Sequence, residues 1–389
     1  TIQKIVRQAY EEDASFYRME LGNTKMLDEP TWHNLRCVTL FGSTARGSMV
    51  TAMGRLGFYT GANEYLYCGA TPLTNAITSM KYVMYRQGDF NNNTMVYKNS
   101  VDGVSVYENP YYLPIGFCVR QELTEMKPEY TYFTVQNDFA RIAPLFTDVE
   151  LALSAVGTGC AASVDGQQVS YTKSGTEKPT VQMSFVVPEN MDLYLDVSGG
   201  NVRQIKVYLD GVQIADDRYQ SQAFRIGELT EGQTVMLEYT FNDSSSNSST
   251  ITIHAARFHW DAWDAVYEQL QKRPLEVYSY GDGHVKGSVE ADAAQTVFFS
   301  IPYDEGWKVT VDGEQVEPKK VLDAFLAVDV SEGHHEIELR YTSEGFWQGL
   351  IISLISTGLF LILWKLTKVK TKEKETDSDI DKQEGLCED

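Results

Sequence analysis

Between Gly349 and Trp364 the chain reads GLIISLISTGLFLILW without one charged residue. Phe346, Trp347 and Leu366 extend this run to about the 20 residues a helix needs to cross a bilayer. A core helix of a soluble protein normally keeps a polar stripe that carries charge; this run has no charged residue. Trp347 and Trp364 flank it where interfacial aromatics gather. The sequence therefore predicts a transmembrane helix over 346–366.

The flanks orient that helix. Lys365, Lys368, Lys370, Lys372 and Lys374 crowd its C-terminal side, whereas Glu336, Glu338 and Glu344 precede it. Basic residues stay on the cytoplasmic side, which puts 367–389 inside the cell as an acidic, disordered tail and residues 1–345 outside. IVRQAYEEDASFYRME at the start has no apolar signal region. An outward-facing domain needs an export signal, so the expectation is that further membrane helices precede Thr1 and that the chain is a fragment.

With 389 residues there is length for two or three domains. The formal charge of −21 excludes nucleic acid as the expected partner, because phosphate binding needs a basic face. The 23 tyrosines and 17 phenylalanines favour strands over a helical bundle. Cys37, Cys68, Cys118 and Cys160 show no paired spacing, and buried free thiols are expected; up to two bridges among them are the alternative.

Residues 1–144 mix both periods. Phe16–Leu21, Lys81–Tyr85 and Val104–Tyr107 alternate as strands, and helices are expected near Ser48–Leu56, Leu73–Met80 and Tyr132–Ile142. Pro72 suits a first helical turn, while Asn91–Asn93 and Asp102-Gly103 mark turns. The fold class expected is an α+β N-terminal domain, then mainly-β sandwich-like modules, then one C-terminal transmembrane helix. The modules occupy 145–273, ending in a short helix over Asp261–Leu270, and 274–345. They echo one another: Val207-Tyr208-Leu209-Asp210-Gly211 is answered by Val309-Thr310-Val311-Asp312-Gly313. Two related β-modules are the natural reading.

Two stretches resemble the bacterial YfhO membrane-protein family. One is Lys81-Tyr82-Val83 followed by Tyr107-Glu108-Asn109-Pro110-Tyr111-Tyr112-Leu113-Pro114-Ile115-Gly116-Phe117 and Gln136-Asn137. The other is Gly306-Trp307-Lys308-Val309-Thr310-Val311-Asp312-Gly313, then Gly333-His334-His335 and Tyr341, running into the last helix. The resemblance covers roughly 16–137 and 298–364. It implies a multi-pass glycosyltransferase of the GT-C type that takes sugar from an undecaprenyl-phosphate carrier and decorates envelope polymers such as lipoteichoic acid. A polyprenyl-phosphate-sugar synthase and a flippase are the partner enzymes this implies. The catalytic carboxylate of such enzymes lies in an outer loop between early membrane helices, so no residue here is expected to be catalytic. The alternative is a non-catalytic, membrane-anchored β-sandwich module that binds carbohydrate or protein.

Within this chain, Trp32, Tyr59, Tyr65 and Tyr67, with His33 beside them, are candidates for an aromatic platform under sugar rings; core packing is the competing reading. Arg18 and Arg46 are candidates for an acceptor or lipid phosphate, set against structural ion pairs. Gly42–Ser48 has phosphate-loop spacing but lacks the lysine that grips phosphate. Asp377-Ser378-Asp379 falls in the acidic tail and reads as a solvated charge run. His254 and His259 are placed on opposite faces of a strand, and His334 and His335 beside a turn with no partner nearby. Metal and hydrolase chemistry are not expected.

Overall fold

The computed structural model describes residues 1–86, 94–126, 131–174, 178–200, 202–217, 221–242 and 247–384. The Asn91–Asn93 turn and Cys387 lie outside them.

The N-terminal part is α+β. Ile2, Ile5, Val6 and Ala9 line one stripe of the helix Ile2–Glu12, and that stripe packs on Met19, Tyr82, Met84 and Val106. Those partners belong to a four-stranded sheet in the order Arg18–Leu21, Met80–Arg86, Val104–Glu108, Val96–Val101. The first pair is parallel and the other two antiparallel. Asp102 and Gly103 both take positive φ, 49° and 78°, which closes the last hairpin. Three expected helices form, over Gly47–Arg55, Pro72–Ile77 and Tyr132–Ala140. The second begins with Pro72 in its first turn and is capped reciprocally by Thr71 and Thr74. The helix Ile2–Glu12 was not among the expected helices, although Ile2, Ile5, Val6 and Ala9 fall at the i, i+3, i+4, i+7 spacing of an amphipathic helix.

The next part is a β-sandwich. One sheet runs Ser154–Thr158, Thr180–Val186, Thr234–Phe241, Val202–Leu209, Val212–Asp217. The facing sheet runs Cys160–Asp165, Gln168–Lys173, Ser248–Phe258, Met191–Gly199, Ala223–Leu229, with Phe146–Val149 joined to Ser248–Phe258. Alternate residues such as Val181, Met183, Leu193, Leu195, Leu237 and Ile253 fill the space between.

A second, smaller sandwich repeats this arrangement. Its first sheet runs Glu276–Gly281, His284–Ala291, Gly333–Tyr341, Trp307–Val311, Glu314–Val316, the same strand order as its counterpart. The echo in sequence falls on equivalent hairpins. Asp210 and Asp312 sit at φ 48° and 53° before glycines that are also at positive φ. Each carboxylate accepts the backbone N–H of the neighbouring strand, from Thr234 and Glu336 respectively, at 2.8 Å. The facing sheet runs Lys319–Val321, Phe325–Val330, Gln295–Pro302, Gly116–Val119. Its last strand comes from the N-terminal part, which composition gave no means of seeing.

A central core joins all three parts. It includes Phe117, Phe133 and Phe139 from the first, Tyr194 and Phe258 from the second, Trp263 from the helix Trp260–Leu270, and Phe298 and Phe325 from the third. The four described cysteines are free thiols, with Cys118 and Cys160 buried.

The last helix spans Phe346–Glu384. Its segment Phe346–Lys368 has a mean hydropathy of 2.0 and none of it is buried in the protein. The helical backbone continues to Glu384, into the stretch expected to be disordered. Lys and Glu are good helix formers, and extending an existing helix costs far less than nucleating one.

Candidate functional site: a tyrosine and lysine groove

The residues singled out beforehand are not all brought together. Tyr65 and Tyr67 are buried, and the Tyr67 hydroxyl donates to Asn75 Oδ1 at 2.7 Å. Tyr59 is half-buried, and Trp32 is 71% exposed on the separate turn Glu29–Trp32. The sugar platform expected from these aromatics is therefore not built; Tyr65 and Tyr67 serve the core, as large rings in a strand pair usually do.

The two arginines stitch parts of the protein together. Arg18 donates to the Thr78 carbonyl at 2.8 Å and to the Ser300 carbonyl at 2.6 Å. Arg46 pairs with the buried carboxylate of Asp304. The Ser300 and Asp304 contacts cross from the N-terminal part to the second sandwich. Arg18 and Tyr65 do share a cavity of about 170 Å3 with Cys37 and Ser300. Burial pushes the Cys37 thiol up to about 12, and the nearby Glu20 adds to this, so it is no nucleophile. Glu20 itself is fully buried and accepts N–H bonds from Val38 and Thr39. Burial raises its carboxyl to about 7 against the pull of those bonds.

The histidines also differ from expectation. His334 Nδ1 lies 3.2 Å from Glu290, and His335 Nδ1 lies 2.7 Å from Asp312, so both have partners. His254 pairs with Asp148, while His259 meets Thr147 at the start of the last sandwich-linked helix. Among the described residues no three potential ligands gather as a metal site.

A different place has the character of a binding site. At the end of the N-terminal sheet, a groove of about 510 Å3 is walled by Tyr97, Tyr112 and Tyr267 and floored by Lys81, Lys98 and Glu108. The hairpin register sets its geometry. Tyr97 faces Tyr107 across the strand pair, ring centroids 5.8 Å apart, and remains 56% exposed. Glu108 opposes Tyr82 on the other side of the same strand. A bulge between Tyr97 and Asn99 then turns Lys98 toward them. Lys98 Nζ reaches the Tyr82 hydroxyl at 3.0 Å and Glu108 at 3.3 Å. The Tyr82 hydrogen bond, with help from Glu108, holds the Lys98 ammonium above its ordinary range despite partial burial. Lys81 pairs with Asp13 at 2.6 Å and lies over the ring of Tyr112 at 5.3 Å.

The Tyr107–Pro114 motif builds the wall. Asn109 Oδ1 accepts the Tyr111 N–H at 3.0 Å, and its amide donates to the Met80 carbonyl at 2.9 Å. That fixes the chain for Pro110 and aims Tyr111 at Trp263 and Tyr267, with centroids 5.4 and 5.1 Å away. Tyr267 in turn donates to the Tyr112 carbonyl at 3.0 Å. The clue available beforehand was an aromatic residue in an otherwise polar strand, VYKNSV, just before the Asp102-Gly103 turn.

The molecule is thus an α+β and double-sandwich body carrying a polar aromatic groove on a single exposed apolar helix, the form of a membrane-anchored protein. The family model for the bacterial membrane protein YfhO matches residues 1–353, and the chain belongs to that family. It is a bacterial membrane protein with one C-terminal candidate span. The uncharacterized protein YfhO of Bacillus subtilis (strain 168) is 34% identical over 62 residues, which is 16% of this chain and 7% of that protein. Among solved structures, a family 29 carbohydrate-binding module matches at 9% identity and a TM-score of 0.20, covering 28% of this chain and 86% of that one. A Podospora anserina GH26-CBM35 β-(1,4)-mannanase matches at 12% identity and a TM-score of 0.20, covering 29% of this chain and 28% of that one. Similarity at that level transfers no function.

Proposed function

We propose that this chain is the outer, acceptor-binding region of a multi-pass glycosyltransferase that uses a polyprenyl-phosphate sugar to decorate an envelope polymer of the lipoteichoic-acid type. The groove at Tyr97 and Lys98 is the observation that carries the reading. Tyrosine faces take the C–H side of a sugar ring, and the Lys98–Glu108 pair offers both a donor and an acceptor to its hydroxyls. Family membership supports the membrane setting. The lysines after Trp364 favour a cytoplasmic tail with residues 1–345 on the outer face.

In this reading the undecaprenyl-phosphate sugar and the reacting carboxylate belong to the membrane domain of the full protein. A polyprenyl-phosphate-sugar synthase and a flippase supply the donor. Residues 1–345 act by holding the polymer, so the purified chain transfers no sugar. Deleting the gene should remove glycosyl substituents from the extracted polymer, and the full-length gene should restore them. Unchanged polymer after deletion would sink the proposal. A binding module without catalysis predicts that unchanged polymer while the groove still binds glycan.

A further inference from the structure

The groove does not end at Lys98. A second cleft of about 270 Å3 opens on the other side of that lysine, between the helix Ile2–Glu12 and the edge strand Val96–Val101. Lys98 lines both clefts. They are also tied by the Asp13–Lys81 pair, whose acid borders the smaller cleft and whose base borders the larger. We propose that the two clefts form one track for an extended, uncharged glycan, with at least two adjoining sugar subsites; this rests on the acceptor-binding reading above.

The clefts differ in the way adjoining subsites do. The larger offers tyrosine faces for stacking. The smaller sets Gln8, Glu12 and Asn99, exposed groups that hydrogen-bond hydroxyls, around an apolar lining of Ile5, Met19 and Val101. Gln8 Nε2 donates to Glu12 Oε1 at 2.8 Å, which leaves the Gln8 carbonyl to accept. Each cleft alone is near or within the range of roughly 300–1,000 Å3 typical of small-ligand sites. Joined, they suit a chain rather than a single ring.

Charge selects a neutral ligand. Both lysines of the track are already paired, Lys81 with Asp13 and Lys98 with Glu108. With Glu12 added, carboxylates outnumber ammonium groups along the path. A phosphodiester chain would have to break those pairs inside a protein of net charge −21. The track therefore holds such a polymer by its neutral glycosyl units and leaves its phosphodiester backbone outside the clefts.

The test is calorimetric titration of the whole chain in lipid nanodiscs with neutral gluco-, galacto- and N-acetylglucosamine oligosaccharides of varied length. Poly(glycerol phosphate) is the anionic comparator. Affinity for at least one neutral series should rise with length and hold steady from low to moderate salt. Tyr97→Ala should weaken it at least tenfold. Gln8→Ala, on an exposed helix face, should abolish the gain with length while sparing the shortest ligands. Binding only to poly(glycerol phosphate), no gain with length, or no binding to any probe would each overturn the track. Circular dichroism decides whether Tyr97→Ala is folded; if it is not, Gln8→Ala carries the test. Loss of the track with the deletion phenotype intact leaves the glycosyltransferase reading standing. Binding intact with unaltered polymer removes that reading instead.

Discussion

The two sandwiches share a strand order but not their independence. The first draws every strand from one continuous stretch, Phe146 to Phe258, and closes its own core. The second places Gln295–Pro302 beside Gly116–Val119, where the first places Met191–Gly199 beside Ser248–Phe258. A strand borrowed from the N-terminal part thus fills the position that its own segment does not supply. Val119 opposes Thr296, Phe117 opposes Phe298, and Cys118 joins the second core. The first closes a core of its own, although Tyr194 and Phe258 also join the central one; the second is welded to the part that bears the groove, and it is also the one that leads into the membrane helix.

The largest expected effect follows from this asymmetry. Residues 145–259 expressed alone should melt cooperatively, because their core is complete. Residues 274–345 alone should remain unfolded, with an unpaired edge beside Gln295–Pro302 and a core lacking Ile115 and Cys118. Circular dichroism of the two pieces decides it, and a cooperative melt from the second would break the comparison.

Next in size is Phe298→Ala. Phe298 is fully buried and meets Phe117, Phe139 and Phe325 with centroids 5.3, 5.8 and 5.3 Å away. Truncating it should cost about 3–5 kcal/mol and should weaken the N-terminal part and the second sandwich together. Hydrogen exchange that quickens in only one of them would show that the weld is weaker than proposed.

Glu20 gives a pH signature to the N-terminal part alone. Its carboxyl is raised to about 7 in the folded protein, above about 4.3 for an unfolded glutamate. Between those values the folded state binds the extra proton. Its contribution is therefore fully present below the unfolded value and is lost as pH rises through about 7. The full swing is on the order of 3 kcal/mol. Urea midpoints measured from pH 4 to 8 should fall with pH in the wild type, and Glu20→Gln should flatten that slope.

The smallest effects should be the matched turns. Asp210→Ala and Asp312→Ala each remove a carboxylate that holds the adjoining strand and leave a β-carbon at positive φ, at a cost of about 1 kcal/mol each. Asp210 also loses Gln233 at 3.1 Å and Asp312 also loses His335 at 2.7 Å, the shorter contact, so the Asp312 variant should be slightly the worse of the two. Equal thermal shifts at pH 6 would deny that shorter contact a larger role.

Much of this was legible in residue pattern. The apolar run before Lys365, the Asp-Gly hairpins and the alternating strands announced the anchor, the repeat and the β character. What sequence could not supply was pairing between distant segments. Gly-Phe-Cys-Val at 116–119 reads only as a short buried strand, and nothing local tells which sheet it joins. Which aromatics face solvent was hidden for a related reason. Tyr65 and Tyr67 look the same in sequence as Tyr97 and Tyr112, yet the fold buries the first pair and turns the second to a groove. For Arg18 and Arg46, phosphate binding and structural pairing were both open until the second sandwich supplied Ser300 and Asp304.

The central claim is that the hairpin groove holds the polymer while the chemistry lies in the membrane domain. Its most direct test is the sugar content of envelope polymer from cells whose only copy of the full-length protein carries Tyr97→Ala and Lys98→Met, with membrane abundance checked by immunoblot. The account predicts at least a tenfold fall in glycosyl substitution at unchanged protein level. Wild-type substitution in that strain would contradict it.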